Sequence, residues 1–142
     1  MDLPDINVLI YAHREDAEQH DAYATWLTQL ASGTVPFAVS SATLSGFLRI
    51  VTNPRIFRPA TPMGIALAFC HQLLTQPTAR RIEPGSRHWS IMIDLIARSG
   101  VQGAMVSDAY LAALAIEHGC ELVTTDSDFA RFPGLRWRHP LR

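Results

Sequence analysis

Four aspartates stand where short apolar runs give way to polar sequence. Asp5 closes the brief opening Leu3–Asp5, Asp108 follows Ala104–Val106, and Asp126 and Asp128 follow Glu121–Thr125. If the apolar runs are buried strands of a parallel α/β sheet, their carboxyl ends share one edge, where side chains from distant segments converge. Carboxylates gathered there repel one another, so an assembled cluster calls for a cation. Oxygen-only ligands select a hard ion such as Mg²⁺ or Mn²⁺. The chemistry expected is attack by a metal-activated water, with a phosphodiester as the fitting substrate.

Each acid also has an architectural role. Asp5 suits the N-cap of a following helix. Asp108 sits one residue after Ser107, a candidate cap, in a first turn that the helix dipole makes favourable for carboxylates. Asp126 and Asp128, in TTDSDF, suit a turn, although their spacing also lets both approach one ion. Thr124 or Thr125 is placed to orient a carboxylate or meet a phosphate. It is the joint placement of the four, always at the end of a strand, that favours a metal site. Asp94 in WSIMIDLIAR marks a solvated helix side, and Glu117-His118 closes a helix. HExxH, P-loop and GxSxG patterns are absent, which weighs against zinc peptidase, NTPase and α/β-hydrolase chemistry. An aspartyl-phosphate phosphatase would want an acid two residues after Asp5, where Asn7 stands.

The elements that must position these acids alternate. Leu3–Asp5 reads as a first strand and Asn7–Ala12 as a helix leaving it. Ala22–Leu30 has apolar residues at helical spacing and stops at Ser32-Gly33. Pro36–Val39 reads as a second strand, with Ser40-Ser41 capping a helix over Ala42–Val51. Thr61-Pro62 looks like a cap and first position for a helix reaching Leu74. Arg80–Glu83 is a third strand, and Ser86 a cap for a helix through Ile96 that ends at Ser99-Gly100. Ser107 is expected to cap the helix carrying Asp108, with Gly119 as its stop. Glu121–Thr124 is the fourth strand and Arg136–Arg138 a short edge strand. This alternation predicts a three-layer α/β/α domain around a mainly parallel sheet of four to five strands.

The 142 residues fit one domain with a single core. An apolar fraction of 48% and a charged fraction of 18% are ordinary for a globular chain. The net charge of −1 gives no bulk attraction to nucleic acid, so binding RNA or DNA would need a local basic patch. All 12 positive charges are arginine, a residue that binds phosphate bidentately and stacks on bases. Arg49 and Arg55 are the candidates for substrate contact. Cys70 and Cys120 lie among apolar neighbours without zinc-like spacing, as expected for buried thiols in a reducing compartment. No apolar stretch approaches the roughly 18–20 residues of a membrane span. The acidic start lacks the basic opening of a secretory signal, so a soluble cytoplasmic protein with no membrane partner is expected.

LPDINVLIYA, SGFLRIVTNPRIF and, most specifically, SDAYLAALAIEHGCELVTTDSDFARFPGLRW together resemble a PIN-domain toxin of the VapC kind, from Leu3 to Trp137. The resemblance implies one PIN domain over residues 1–142 and a Mg²⁺- or Mn²⁺-dependent endoribonuclease. It also implies the toxin half of a bacterial toxin–antitoxin pair, a homodimer held inactive by a small antitoxin, with structured transfer or ribosomal RNA as substrate. Asp5, Asp108 and Asp126 match the family's first, third and fourth acids, and Asp128 an additional one. Asn7, Ser45, Arg49, Arg55 and Thr125 are then the candidate substrate contacts. One departure stands out. The family usually has a glutamate in the helix after the second strand, and here Gly46, preceded by Ser45, occupies that position; no acid lies between Asp21 and Glu83. Either the ion is held by Asp5, Asp108, Asp126 and water with help from Asp128 or Ser45, or metal affinity and activity are weakened. The alternatives are a silent PIN-fold module that keeps antitoxin binding, and a metal-dependent DNA nuclease or phosphatase on a similar sheet.

Overall fold

The computed structural model describes residues 1–142. Five strands form one sheet: β1 (Asp2–Pro4), β2 (Phe37–Ser40), β3 (Ala79–Ile82), β4 (Glu121–Val123) and β5 (Trp137–Arg138). They lie in the order β3-β2-β1-β4-β5, and every pairing is parallel. Six α-helices connect them: α1 (Ile6–His13), α2 (His20–Ser32), α3 (Ser41–Val51), α4 (Met63–Leu74), α5 (His88–Ser99) and α6 (Val106–Glu117). The expected three-layer α/β/α architecture is what the chain adopts.

Side chains alternate across the sheet as the two-residue period of a strand requires. Phe37 and Val39 pack with Val8, Leu44, Phe47 and Cys70 on the face covered by α1 to α4. Ala38 points to the opposite face, where Leu3 and Leu122 meet the alanine-rich stripe of α6 together with Leu95 of α5. The sheet is therefore apolar on both sides, as buried parallel strands are. At one edge Arg138 of β5 ties down Asp2 and, at 2.7 Å, Glu121.

The chain winds outward from β1 through β2 to β3, then returns to the other side of β1 for β4 and β5. This reversal opens a crevice between β1 and β4 at the carboxyl edge, the position where open α/β sheets bind ligands. Helices α1 and α3 begin directly after β1 and β2, so their N-termini face that edge. Helix α6 runs back across the sheet and turns at Gly119 (φ +66°) into β4, which places the N-terminus of α6 there as well.

Several boundaries differ from the sequence expectation. Ala104–Val106 is not a strand. Gly103 (φ +63°) opens a 3₁₀ turn over Gly103–Met105, and Val106 already begins α6. Ser107 is accordingly inside the first turn, and the cap position falls to Met105, which offers no side-chain oxygen. Thr61 does not cap α4 either. Pro62 takes the cap position, while the Thr61 backbone N–H donates to Val51 O (2.8 Å) and its hydroxyl meets His13 and Arg14. Ser86 is no cap for α5. The Glu117 carboxylate, from the end of α6, accepts from Gly85 N (2.7 Å) and Arg87 N (2.9 Å) instead. No helix is long and apolar enough to cross a membrane.

Candidate active site

Asp5 directly follows β1 and caps α1, with its backbone extended as that role requires (φ −77°, ψ 162°). Its Oδ1 accepts from Ile6 N at 2.7 Å. Its Oδ2 accepts from the Thr124 hydroxyl, also at 2.7 Å, across the β1–β4 pairing. The Thr124 hydroxyl oxygen in turn accepts from Asp126 N (3.1 Å). One fully buried threonine thus sets the Asp5 carboxylate and the start of the Asp126 loop together. Asp5 is only 6% exposed. Burial raises its pKa above the ordinary carboxylate value against the opposing pull of both hydrogen bonds, and the charge of Asp126 adds to the rise.

Asp108 faces this pair from the first turn of α6. Burial first, then repulsion from Asp126, Asp5 and Asp128, raises its pKa to about 6, with only Arg131 pulling the other way. That three carboxylates act on Asp108 shows that the expected acids share one field. Asp5 and Asp108 both line a cleft of about 290 Å³ at the carboxyl edge of the sheet. Its other wall is α3, which contributes Thr43, Ser45, Gly46 and Arg49.

The α3 wall carries no acid. A Cβ added at Gly46 would fall 2.5 Å from Ile6 Cδ1, so the Ile6 side chain occupies the space a longer residue would need. No three acidic or imidazole groups stand close enough to enclose an ion without other ligands. The donors are nonetheless oxygen-only, and their mutual repulsion is of the kind a divalent cation relieves. A hard ion that keeps several waters suits such an open set. A second groove of about 200 Å³ between α2 and α4 has no titratable group in its lining, so the chemistry belongs to the acidic cleft.

Comparison with known proteins shows the family and the fold. The PIN domain family model matches residues 3–135. VapC ribonuclease Mb2897 of Mycobacterium bovis is 42% identical over 137 residues, covering 96% of this chain and 93% of the relative. Ribonuclease VapC25 of Mycobacterium tuberculosis is 38% identical over 140 residues, 99% of each chain. The chain belongs to the PIN-domain family of VapC ribonucleases. Among solved structures, VapBC2 from Rickettsia felis bound to a promoter DNA fragment superposes with a TM-score of 0.71 at 20% identity, covering 97% of each chain. VapC20 of Mycobacterium tuberculosis, a sarcin–ricin loop cleaving toxin, gives 0.68 at 16% identity over 96% of this chain and 99% of that one. At these identities the structures establish the fold.

Within this PIN domain the sequence candidates are placed unequally. Asp126 stands beside the cleft, its Oδ1 accepting from Asp128 N at 2.8 Å to cap the short 3₁₀ turn Ser127–Arg131. Asp128 is exposed and turned toward Arg131, 3.7 Å away, so it contributes field rather than a wall. Ser45 and Arg49 are exposed on the cleft wall, and Arg49 makes no ion pair or side-chain hydrogen bond. Asn7 and Thr125 are half-buried outside the lining, and Arg55 is exposed in the turn after α3. Three contributors escaped the sequence reading: Thr43, Ser107 as a wall residue, and Ile6. Thr124 was visible only as one of two adjacent threonines. Pairing of β4 with β1 turns Thr124, not Thr125, onto Asp5.

Proposed function

We propose that this PIN domain is a Mg²⁺- or Mn²⁺-dependent endoribonuclease that serves as the toxin of a toxin–antitoxin pair. The observation that carries the reading is the shared cleft of Asp5 and Asp108, with Asp126 in the same field and Thr124 fixing Asp5. The ribonuclease names of relatives at 38% and 42% identity supply the reaction class.

Asp5 and Asp108 would hold the cation, with Asp126 adding negative charge. When bound, such an ion supplies Lewis acidity toward a phosphoryl oxygen and makes an attacking water easier to deprotonate. Asp5 is the fixed member, since both its oxygens are already hydrogen-bonded. Asp108 or Asp126 takes the proton that the attacking water releases. Arg49, unpaired on the rim, meets an RNA phosphate, and Arg55 adds a second contact along the strand. Structured transfer or ribosomal RNA is the expected substrate. The solved neighbours named VapBC support a second-chain antitoxin as partner, and a homodimer is the expected assembly.

The test is incubation of purified transfer and ribosomal RNA with the isolated protein in Mg²⁺, Mn²⁺ or EDTA, beside an Asp5→Asn control. Discrete fragments that require both metal and Asp5 are expected. A second reading, a silent module that keeps only partner binding, is favoured by the acid-free α3 wall at Gly46 and Ile6. Folded, antitoxin-free protein that leaves every RNA intact with either metal would establish it.

A further inference from the structure

Tyr110 is the one aromatic residue lining the acidic cleft. It stands on the α6 wall, two residues after Asp108, and faces the α3 wall that carries Ser45 and Arg49. Its backbone offers little to a ligand. The N–H lies past the first turn of α6, and the carbonyl accepts from His88 Nε2–H at 2.9 Å. What Tyr110 presents to the cleft is therefore its side chain. The residue is half-buried, and its phenol oxygen is neither hydrogen-bonded within the protein nor sealed from solvent. A ring packed on the core with its hydroxyl left wet is the arrangement of tyrosines at binding surfaces.

The ring is braced. The His88 imidazole, 5% exposed, meets it edge to face at 61° with centroids 4.5 Å apart, and the α5–α6 core packs beneath it. Little conformational freedom is left to lose when a ligand lands on such a ring. Its surroundings select what lands. Leu111 and Ala42, both apolar, line the same cleft. The Glu83 carboxylate, fixed by the Ser41 hydroxyl at 2.8 Å, adds negative charge. Burial first and then Glu83 raise the phenol above its ordinary pKa. A phosphate is repelled there, and the unpaired Arg49 across the cleft is the better place for one. An uncharged nucleobase meets no such repulsion, and every base has a π-face that stacks on an aromatic ring.

We propose that Tyr110 is a substrate-binding residue: its ring stacks on the unpaired base of a nucleotide beside the scissile phosphodiester, while Arg49 on the facing wall takes a phosphate. This rests on the ribonuclease reading above. It also requires that nucleotide to be free of a helix, because only an unstacked base has a face to offer.

Steady-state cleavage of one RNA that the wild-type protein cuts, with abasic sites placed in turn at the nucleotides flanking the cut, tests it. In wild type one abasic position should raise KM by roughly tenfold. Tyr110→Leu, shown folded by its melting temperature, should raise KM for the intact RNA by a similar factor. With that abasic RNA it should show no further loss, as two halves of one contact require. Tyr110→Phe keeps the ring and should keep most of the affinity. Wild-type KM in Tyr110→Leu, or losses from the variant and the abasic site that simply multiply, would overturn the proposal. So would a Tyr110→Phe as weak as Tyr110→Leu, which would assign the contact to the hydroxyl. The abasic scan needs no variant, so wild-type KM at every flanking abasic site would overturn the proposal even if leucine spoils the fold. In that case cleavage of the intact RNA leaves the ribonuclease reading standing. Wild-type protein that cuts no RNA with Mg²⁺ or Mn²⁺ would overturn both.

Discussion

The Thr124 hydroxyl and the Ile6 N–H hold the two oxygens of Asp5 in place, so this carboxylate is preorganised before any ligand arrives. Hydrogen bonds to a charged group contribute about 1.5–3 kcal/mol each, more than neutral ones. Thr124→Val should therefore lower stability by about that amount and reduce RNA cleavage at least roughly tenfold, with Thr124→Ser close to wild type; urea melts and cleavage rates on one RNA check both. Asp108 stands in the opposite situation, held in a field that disfavours its charge. Its pKa is about 6 in the fold against 3.8 unperturbed, so between those values the folded state binds more protons than the unfolded chain. Without metal, the contribution of Asp108 to stability must fall as pH rises from about 4 to 6 and stay low above that. Asp108→Asn removes this penalty. After allowance for solvent screening, the variant should gain about 1–2 kcal/mol at pH 7.5 and little at pH 4 while losing cleavage. Denaturant melts of both proteins at the two pH values give the comparison, and equal stability gains at both would refute the assignment. That an acid sits at position 108 is plain in the sequence. Its pKa is not, because it depends first on burial in the fold and then on three other carboxylates brought in from the end of β1 and the loop after β4.

At the scale of elements, the helix N-termini do the positioning, and they are only partly legible from local sequence. Asp5 and Ser40 are caps that could be read directly, since each takes its hydrogen bond within two residues. The start of α5 could not be read that way. The turn that leads into it is held by Glu117, thirty-odd residues away, which accepts from Gly85 N and Arg87 N, and the local candidate Ser86 is unused. Backbone hydrogen bonds hold the Glu117 pKa below its ordinary value. This contribution is present above the ordinary glutamate range and lost as pH falls through the lowered value. Glu117→Gln should therefore lower the melting temperature at pH 7 more than at pH 3, while leaving Mn²⁺ affinity unchanged. The α3 wall shows the same limit on local reading. The glycine at position 46 is visible in the sequence, but not that Ile6 fills the gap it leaves. Gly46→Glu alone should destabilise the fold by overpacking, about 1–3 kcal/mol. Adding Ile6→Ala should recover a good part of that loss, a coupling measurable in a double-mutant cycle.

For the molecule as a whole, the strand order carries the site. Reversal of winding direction beside β1 brings residues 5 and 126 to neighbouring strand ends, and α6 returns residue 108 to the same edge. The alternation of apolar runs and helical spacing made this sheet legible, because each strand is short, buried and bounded by turn residues. Ala104–Val106 misled for the same reason: a short apolar run reads as a strand wherever it occurs, and only the positive φ of Gly103 shows it to be a turn. A net charge of −1 leaves RNA attraction to local arginines. Arg49→Gln should raise KM and reduce the salt dependence of RNA binding by roughly one unit of slope, with Mn²⁺ affinity unaffected. If the shared cleft is one active site, Asp5 and Asp108 act as one unit on one phosphodiester. Cleavage rates of Asp5→Asn, Asp108→Asn and the double variant on a single RNA test it directly. Groups that act together are strongly non-additive. The double variant should be no slower than the worse single variant, with each single loss on the order of 10²-fold or more. Multiplicative losses, or a fully active Asp108→Asn, would show that the two carboxylates do not share a reaction and would contradict the account.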